Sequence, residues 1–392
     1  MRILIINYEY PPIGGGGGFV TRDICENIVS RGHVVTVITS HFKGLPEHEI
    51  VNGVNIIRVP VFLRKKMEVA GMASMLSYFP LSVCKAMKHV KVNEYEILNT
   101  HFAIPSGPTG YVLSRVFHLP NVLTIHGGDI FDPSKTLSPH NAPILKQTVK
   151  IMLKTADCVV AQSSDTKRNA YTYYNIKRSI DIIPLGIKKP DFTKKYREDF
   201  NLGHDEIIFC TIGRLIKRKN INDTLAVLSG LKNKHKFKLL IIGDGPERDN
   251  IYELAKQYSI GSNILMMGNV SDDQKFQLLS LSDIFLSTAI HEGFGLVFLE
   301  AMEAGIPIVC YNRGGQNDFL EDGRTGFLVD LGDKTKFQER VLELINNDAI
   351  RSGMGTYNKK LIQNFYIDVC AEKYISLFNK VASNHSAIKR DY

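Results

Sequence analysis

Short apolar runs alternate with helix-period segments along most of the chain, and this alternation limits the folds that it can adopt. In the first half the runs occupy residues 2–7, 34–39, 56–60, 97–100, 122–125, 158–161 and 181–183. In the second half they occupy residues 207–212, 238–242, 264–267, 284–287, 308–311 and 327–329. Such alternation is typical of βα units that share a parallel sheet. We therefore predict an α/β fold with a parallel sheet in each half.

The length of 392 residues favours two domains over a single core. Residues 184–206 are polar, charged and punctuated by proline and glycine, as interdomain connections often are. We place one domain at residues 1–190 and a second at 191–364. Residues 334–381 favour successive helices.

Composition excludes several classes of protein. No apolar run approaches the ~20 residues that span a bilayer, and the N-terminus does not resemble a signal peptide. The six cysteines are scattered, without a C-x-x-C pair or clustered histidines. This distribution predicts reduced thiols, no metal site and a cytoplasmic protein.

The net charge of +8 is unevenly distributed. Residues 1–190 contain 22 Lys and Arg against 13 Asp and Glu, and the rest of the chain is close to neutral. A basic first half predicts an anionic partner for that half. Zinc-finger spacing, RNA-binding aromatic motifs and basic heptads are missing, so we expect no nucleic-acid partner.

The run at 284–287 leads into a turn and a helix that together suit a phosphate-containing ligand. Gly293 and Gly295 flank Phe294 in the turn, and we predict a helix from Leu296. The N–H groups at a helix start attract phosphate, and glycines allow close approach to the backbone. Carboxylates at 292 and 300 could accept hydrogen bonds from ligand hydroxyls, as a nucleotide sugar would offer. A purely structural strand–turn–helix unit explains these residues equally well.

Five glycines at 14–18 follow the first predicted strand and precede a helix that we start near Phe19. A glycine-rich strand-to-helix turn suits phosphate or sugar. A dinucleotide fold would also need an acidic residue at the end of the second strand, where the chain has Thr39, Ser40 and His41. The dinucleotide fingerprint is therefore not met.

Two further groups of residues follow predicted strands, at the sheet edge where α/β domains bind ligands. His126 and Asp129 lie in the segment TIHGGD, although a lone histidine is more often structural. Arg214 and Lys219 could neutralise a diphosphate, and a solvated basic turn is the alternative.

These segments, in this order, resemble the retaining glycosyltransferases of family 4, also called glycosyltransferase group 1. The resemblance includes the E-x7-E pair Glu292 and Glu300, the T-x-H-G-x-D segment and the G-R-L-x-x-x-K segment. It implies the GT-B fold, in which two Rossmann-like α/β/α domains face each other across a cleft. A helix within residues 365–392 would cross back to the first domain. Asn220, Asn317 and Asp318, with Gly17 and Gly18, depart from the usual family residues.

The resemblance also implies roles for individual residues. Residues assigned to catalysis are His126, Glu292, Arg214 and Lys219. Residues assigned to donor binding are Gly15, Gly16, Asp129, Gly293, Phe294, Gly295, Leu296 and Glu300. Arg214 and Lys219 would hold the diphosphate, Glu300 the ribose and Glu292 the sugar hydroxyls. No metal, cofactor or side-chain nucleophile is expected.

The expected reaction transfers a sugar from a nucleoside diphosphate sugar, UDP-sugar rather than GDP-mannose, with retention at the anomeric carbon. The acceptor would be a hydroxyl of a glycan or lipid-linked molecule in cell-surface polysaccharide or glycolipid biosynthesis. One alternative is an epimerase or hydrolase of nucleotide sugars on the same fold. The other is a non-catalytic protein that binds nucleotide sugars.

Residues 63–95 alternate basic and apolar side chains and could place the enzyme at an anionic membrane. Peripheral attachment to the inner face of the membrane is the corresponding expectation. An ordinary helix pair that covers the sheet and breaks at Pro80 is at least as consistent with these residues.

Overall fold

The computed structural model describes residues 1–67, 71–135, 137–193 and 195–390. Residues 68–70 of the basic segment, 194 of the predicted connection and 391–392 of the C-terminal tail lie outside this range. The chain forms two compact units. Unit 1 contains Met1–Lys188 and Ile367–Tyr392, and unit 2 contains Lys189–Tyr366.

Unit 1 is built on a sheet of eight strands among the described residues. Its strands are β1 Arg2–Asn7, β2 Val34–Ser40, β3 His48–Val51, β4 Val54–Val59, β5 Ile97–His101, β6 Asn121–Ile125, β7 Cys158–Ala161 and β8 Asp181–Ile182. The spatial order is β3-β4-β2-β1-β5-β6-β7-β8, and every pair is parallel except β3 with β4. The central strands are buried on both faces, which explains their continuous apolar runs.

Helices cover both faces of the unit 1 sheet. They are α1 Gly16–Ser30, α2 Met72–Val90, α3 Gly107–Phe117, α4 Pro143–Thr155, α5 Ser164–Tyr174 and the C-terminal helix α12 Ile367–Arg390. Helix α12 packs against α1, as the predicted return of the C-terminal helix to the first domain requires.

Unit 2 is built on a second sheet, which has six strands in its described part. Its strands are β9 Ile207–Ile212, β10 Phe237–Ile242, β11 Ile264–Gly268, β12 Ile284–Ser287, β13 Ile308–Tyr311 and β14 Gly326–Val329. The order is β11-β10-β9-β12-β13-β14, and all pairs are parallel. Its helices are α6 Ile221–Ser229, α7 Arg248–Gln257, α8 Asp272–Leu281, α9 Leu296–Ala304, α10 Lys334–Ile345 and α11 Asp348–Leu361.

The predicted α/β fold with two parallel sheets is therefore confirmed, together with the helix from Leu296. Two local expectations are wrong. Helix α1 begins at Gly16 and not near Phe19, because Gly17 and Gly18 pack inside its first turn. Residues 72–90 form one helix that continues through Pro80. Proline has no N–H to donate to the carbonyl of Leu76, but Leu76 and Pro80 are both exposed, so this carbonyl lies on the solvent side of the helix.

Candidate functional site

In unit 2, the loops that follow β9 and β12 are bonded to each other at the carboxyl edge of the sheet. These strands are parallel neighbours, so their loops emerge side by side. The hydroxyl of Thr288 donates to the carbonyl of Asn220 at 2.7 Å, and the amide of Ile290 donates to the carbonyl of Arg218 at 2.9 Å. Residues about 70 positions apart in sequence are thereby brought into one cluster.

The cluster centres on the carboxylate of Glu292, which contacts two cations. Lys219 Nζ lies 2.5 Å from Glu292 Oε1, and Arg218 Nη1 lies 3.3 Å from Oε2. Burial would raise the pKa of Glu292, but Lys219 and Arg218 outweigh it and hold that pKa below its ordinary value. The carboxylate is therefore ionised at neutral pH. Each of its oxygens keeps a further lone pair for another donor.

Gly314 allows the main chain of Glu292 to come close to the neighbouring loop. Gly314 has φ +132°, and a Cβ there would lie 2.3 Å from the carbonyl oxygen of Glu292. The amide of Gly315 donates to that carbonyl at 2.8 Å. The carboxylate is thus fixed from its backbone as well as from its side chain.

Arg214 precedes this cluster and is exposed. Within the described residues, its guanidinium has no hydrogen bond or ion pair. It is therefore available to an anionic ligand, whereas Lys219 is already paired with Glu292. The exposed Lys217 next to the cluster also has no ion pair within the described residues.

The turn before α9 combines a buried ring with accessible backbone. Phe294 is buried and packs against Phe319, with ring centroids 5.0 Å apart. Gly295 forms the N-cap with φ +93°, and no described side chain caps the helix. Phe294 therefore anchors the turn. The amide of Phe298 donates to the carbonyl of Gly295 at 3.0 Å, so the N–H groups of Leu296 and Val297 are the ones that suit a ligand. Gly293 precedes this ring in the same turn.

Glu300 lies on α9 and pairs with Lys275 of α8. Lys275 Nζ is 2.7 Å from Glu300 Oε1, and it also bonds Asp272. Burial opposes the charge on both side chains: it raises the pKa of Glu300 in spite of Lys275, whereas Glu300 and Asp272 outweigh burial at Lys275 and raise the pKa of that ammonium. Glu300 Oε2 has no hydrogen bond from the described residues, so it could accept from ligand hydroxyls.

In unit 1, Asp129 braces the loop that carries His126. Its two carboxylate oxygens accept from the amides of His126 at 2.8 Å and Ala103 at 2.7 Å. Burial raises the pKa of Asp129 to about 6, and burial lowers the pKa of His126 to about 4. His126 is therefore neutral at pH 7, and Asp129 acts on it through the main chain.

Gly15 and Gly16 lie at the start of α1 and are exposed. The amide of Gly15 donates to Glu9 Oε2 at 3.2 Å. A Cβ at Gly15 would meet no described atom within 4 Å, so the space beside the helix start is open.

Three residues of these networks were not singled out from the sequence. Arg218 lies between two lysines in a basic turn, so the sequence does not distinguish it from a solvated residue, and Lys275 lies 25 positions before its partner Glu300. His101 bonds His126 at 2.9 Å. A signal for His101 was present, since Asn99, Thr100 and His101 are consecutive polar residues in a buried strand, where polar groups need partners.

The described residues show neither a metal-ligand cluster nor a membrane-spanning helix. No group of three or more His, Cys, Asp or Glu side chains is placed to hold a metal ion. Within the same residues, no helix combines the length and apolar composition needed to cross a membrane.

Solved structures establish the class of fold. Sucrose-phosphate synthase from Thermosynechococcus elongatus superimposes with a TM-score of 0.86 at 21% identity, covering 98% of this chain and all of that one. HepE from Anabaena, in complex with UDP and glucose, gives a TM-score of 0.78 at 19% identity, and the alignment covers 97% of this chain and 100% of HepE. The protein has the GT-B fold.

Sequence comparisons identify the family. The model "Glycosyltransferase Family 4" matches residues 14–189, and "Glycosyl transferases group 1" matches 192–361. N-acetyl-alpha-D-glucosaminyl L-malate synthase from Bacillus anthracis is 26% identical over 95% of this chain and 94% of its own length. Alpha-monoglucosyldiacylglycerol synthase from Streptococcus pneumoniae is 24% identical over 84% of this chain and 75% of its own length. The chain belongs to glycosyltransferase family 4, a family of retaining enzymes that transfer sugars from nucleotide sugars.

Proposed function

We propose that the protein transfers a hexosyl residue from a UDP-sugar, in preference to GDP-mannose, to a hydroxyl of a glycan or lipid-linked acceptor. The product would belong to a cell-surface polysaccharide or glycolipid. The cluster of Lys219, Arg218 and Glu292 beside the uncapped start of α9 is the observation that carries this proposal. It combines fixed cations, free backbone donors and an ionised carboxylate, which suit a diphosphate joined to a sugar.

In this proposal residues 191–364 hold the donor. Arg214, Lys219 and the first amides of α9 stabilise the diphosphate as negative charge develops on it. Glu292 accepts from hydroxyls of the transferred sugar, and Glu300 accepts from the ribose through Oε2. Gly293 and Gly295 bring the turn backbone close to the donor.

The same proposal assigns the acceptor side to residues 1–190 and the returning helix to 365–392. His126 contacts a hydroxyl of the donor sugar, and Asp129 positions the loop that carries His126. The open space beside the backbone of Gly15 and Gly16 allows the ligand to approach. The acceptor oxygen attacks the anomeric carbon on the face that the phosphate leaves. The carbon–oxygen bond to the phosphate breaks as the new glycosidic bond forms, and a phosphate oxygen takes the acceptor proton. The reaction needs no side-chain nucleophile and no metal.

Names of similar proteins support the donor and the acceptor classes. HepE was crystallised with UDP and glucose, and another structure of this fold contains UDP-2-fluoro glucose. Two relatives, from Streptococcus pneumoniae and Acholeplasma laidlawii, are alpha-monoglucosyldiacylglycerol synthases. These names favour a UDP-sugar and an acceptor that resides in a membrane.

An exposed apolar patch in unit 1 favours action at a membrane surface. The patch comprises Phe62, Leu63, Met72, Leu76 and Phe79, each at least 39% exposed. Its three α2 members recur every three or four residues, so they share one helix face. The neighbouring Lys65 and Lys66 are exposed as well. Apolar residues flanked by lysines suit an anionic lipid surface.

Vesicle sedimentation tests this attachment. Each lysine near an anionic surface contributes about 1 kcal/mol, so reversing Lys65 and Lys66 to Glu should weaken binding to anionic vesicles at least about tenfold. Lys88 lies about 120–180° around α2 from the patch, so Lys88→Glu is the matched control. Equal binding to anionic and zwitterionic vesicles at low salt would leave the patch without a membrane role.

Turnover assays test the reaction itself. The purified protein would be incubated with a UDP-sugar, with and without a lipid extract, in EDTA. We expect a glycosylated lipid with the anomeric configuration of the donor, and little free sugar when acceptor is omitted. Rapid release of free sugar or a changed epimer without acceptor would instead favour the hydrolase or epimerase. A folded protein that binds UDP but never turns over would favour the binding protein.

A further inference from the structure

A chain of hydrogen bonds inside unit 1 begins at Asn99 of β5. Asn99 Nδ2 donates to the carbonyl of Val122 at 2.9 Å and to the hydroxyl of Thr124 at 3.0 Å. A backbone carbonyl only accepts, so these bonds fix the amide group of Asn99. Its Oδ1 lies 2.8 Å from His101 Nε2. Because Oδ1 also only accepts, His101 must carry a proton on Nε2.

The second nitrogen of His101 then determines the proton position on His126. Burial lowers the pKa of His101 well below its ordinary value, so the ring is neutral and Nδ1 bears a lone pair. His126 Nε2 lies 2.9 Å from that Nδ1, and Thr21 Oγ1 lies 3.1 Å away. The Thr21 hydroxyl can donate to the carbonyl of Gly17 at 2.8 Å. The lone pair therefore receives a proton from His126 Nε2.

His126 is left with a lone pair on Nδ1 that makes no hydrogen bond of ordinary geometry within the described residues. This nitrogen is buried, as is the unbonded Oε1 of Gln162, whose side chain interacts with the His126 ring and works against the fall in its pKa. The ring packs against Phe102, with centroids 4.3 Å apart, and a Cβ at Gly17 would come within 3.5 Å of Nδ1. A buried polar atom without a partner is costly, so Nδ1 suits a ligand that donates a hydrogen bond.

We propose that Asn99 and His101 are positioning residues, which hold His126 in the Nε2–H tautomer so that Nδ1 accepts a hydrogen bond from a hydroxyl of the donor sugar. This inference rests on the proposed function for its ligand, but the tautomer itself is a property of the free protein. The relay is neutral at every step, because Asn99 offers an amide where a carboxylate would favour an imidazolium. The unprotonated Nδ1 thereby favours a donor sugar with a hydroxyl next to it over one with a group that can only accept hydrogen bonds.

Nitrogen NMR of ¹⁵N-histidine-labelled protein tests the relay without substrate. Comparison with His126→Gln assigns the signals of His126. In the wild type we expect the proton on Nε2 and an unprotonated Nδ1. Asn99→Leu removes the acceptor for His101 without touching His126, so it should produce a mixture of both His126 tautomers. A wild-type proton on Nδ1 would overturn the proposal, whether or not any variant folds.

Thr100→Val is the matched control, because Thr100 is buried on the same strand and bonds Asn121 at 2.9 Å, outside the relay. We expect it to keep the pure Nε2–H tautomer. A purely structural network would leave His126 unchanged in the folded Asn99→Leu protein as well, and that result would also overturn the relay.

Kinetics with single deoxyfluoro donors separate the relay from the proposed function. Loss of one neutral hydrogen bond should lower kcat/KM roughly tenfold in Asn99→Leu. Fluorine cannot donate a hydrogen bond, and it also slows glycosyl transfer inductively in every variant. Fluorine at the bonded position should therefore impair the wild type by a roughly tenfold larger factor than it impairs Asn99→Leu. If the tautomer changes as expected but no donor discriminates between Asn99→Leu and Thr100→Val, the relay stands and the donor-sugar role of His126 fails.

Discussion

Replacing Lys219 by methionine removes one of the two cations that face the buried carboxylate of Glu292. The side chain of Lys219 is only 14% exposed, and that of Glu292 is only 9% exposed. Loss of one partner from a buried ion pair costs about 3–5 kcal/mol. Because Arg218 remains 3.3 Å from the carboxylate, we expect a smaller loss for Lys219→Met, about 2–3 kcal/mol. For a unit of this size, that loss lowers the unfolding temperature by about 4–12 °C.

The same substitution should impair catalysis. Lys219 is proposed to stabilise charge that develops on the leaving diphosphate. Loss of such a donor costs about 2–4 kcal/mol, or roughly 30- to 1,000-fold in kcat/KM. Differential scanning fluorimetry measures the stability, and UDP release measures the turnover.

Lys217→Met provides the control for this prediction. It removes the same charge two residues away, from an exposed side chain with no ion pair within the described part of the chain. We expect little change in stability or turnover. If Lys219→Met and Lys217→Met behave alike in both assays, the reasoning from the buried pair is wrong.

Three further predictions concern the site residues. Gly295→Ala should destabilise the protein by at least about 1 kcal/mol, because φ is +93° and the new Cβ would lie 2.4 Å from a phenylalanine ring of α9. Gly353→Ala is the control for urea unfolding and should not destabilise the protein, because Gly353 lies in open space on α11. The pKa of His126 is about 4 in the folded protein and about 6.5 in the unfolded chain, so the contribution of His126 to the free energy of unfolding should fall by about 3 kcal/mol as the pH drops from 7 to 4. Unfolding of the wild type and of His126→Leu across this pH range isolates the change, and parallel pH profiles of the two proteins would contradict it. Glu300→Gln should weaken UDP binding and Glu292→Gln should mainly lower turnover; equal losses of UDP affinity would refute that division.

The sequence allowed most of the fold to be predicted, because buried parallel strands are marked by continuous apolar runs. The described part of the chain contains one strand that was missed, β3 at His48–Val51, an exposed antiparallel edge strand without a buried residue. Its residues, H-E-I-V, do not alternate polar and apolar side chains, so they do not indicate a face turned toward a core. The start of α1 was also misplaced, because glycines usually weaken a helix. Here their small size allows close packing in the first turn.

The candidate site was predicted only to the level of its motifs. Positions of Glu292 and Lys219 follow from strand ends and a family resemblance, but their ion pair depends on the register of β9 with β12. Arg218 resembles a solvated basic residue until its carbonyl is seen to bond Ile290. The proposed tautomer of His126 depends on Asn99, which lies on strand β5 and is linked to His126 by hydrogen bonds through His101. Contacts of this kind are set by tertiary packing.

Calorimetric titration of the wild-type protein with UDP, GDP, ADP and TDP in EDTA tests the central claim most directly. The account predicts saturable binding of UDP at one site, tighter than that of GDP, without added metal. Ligand binding to the native state should also raise the unfolding temperature. Tighter binding of GDP would contradict the proposed donor, and a folded protein that binds none of the four nucleotides would contradict the assignment of unit 2 as a nucleotide-sugar site.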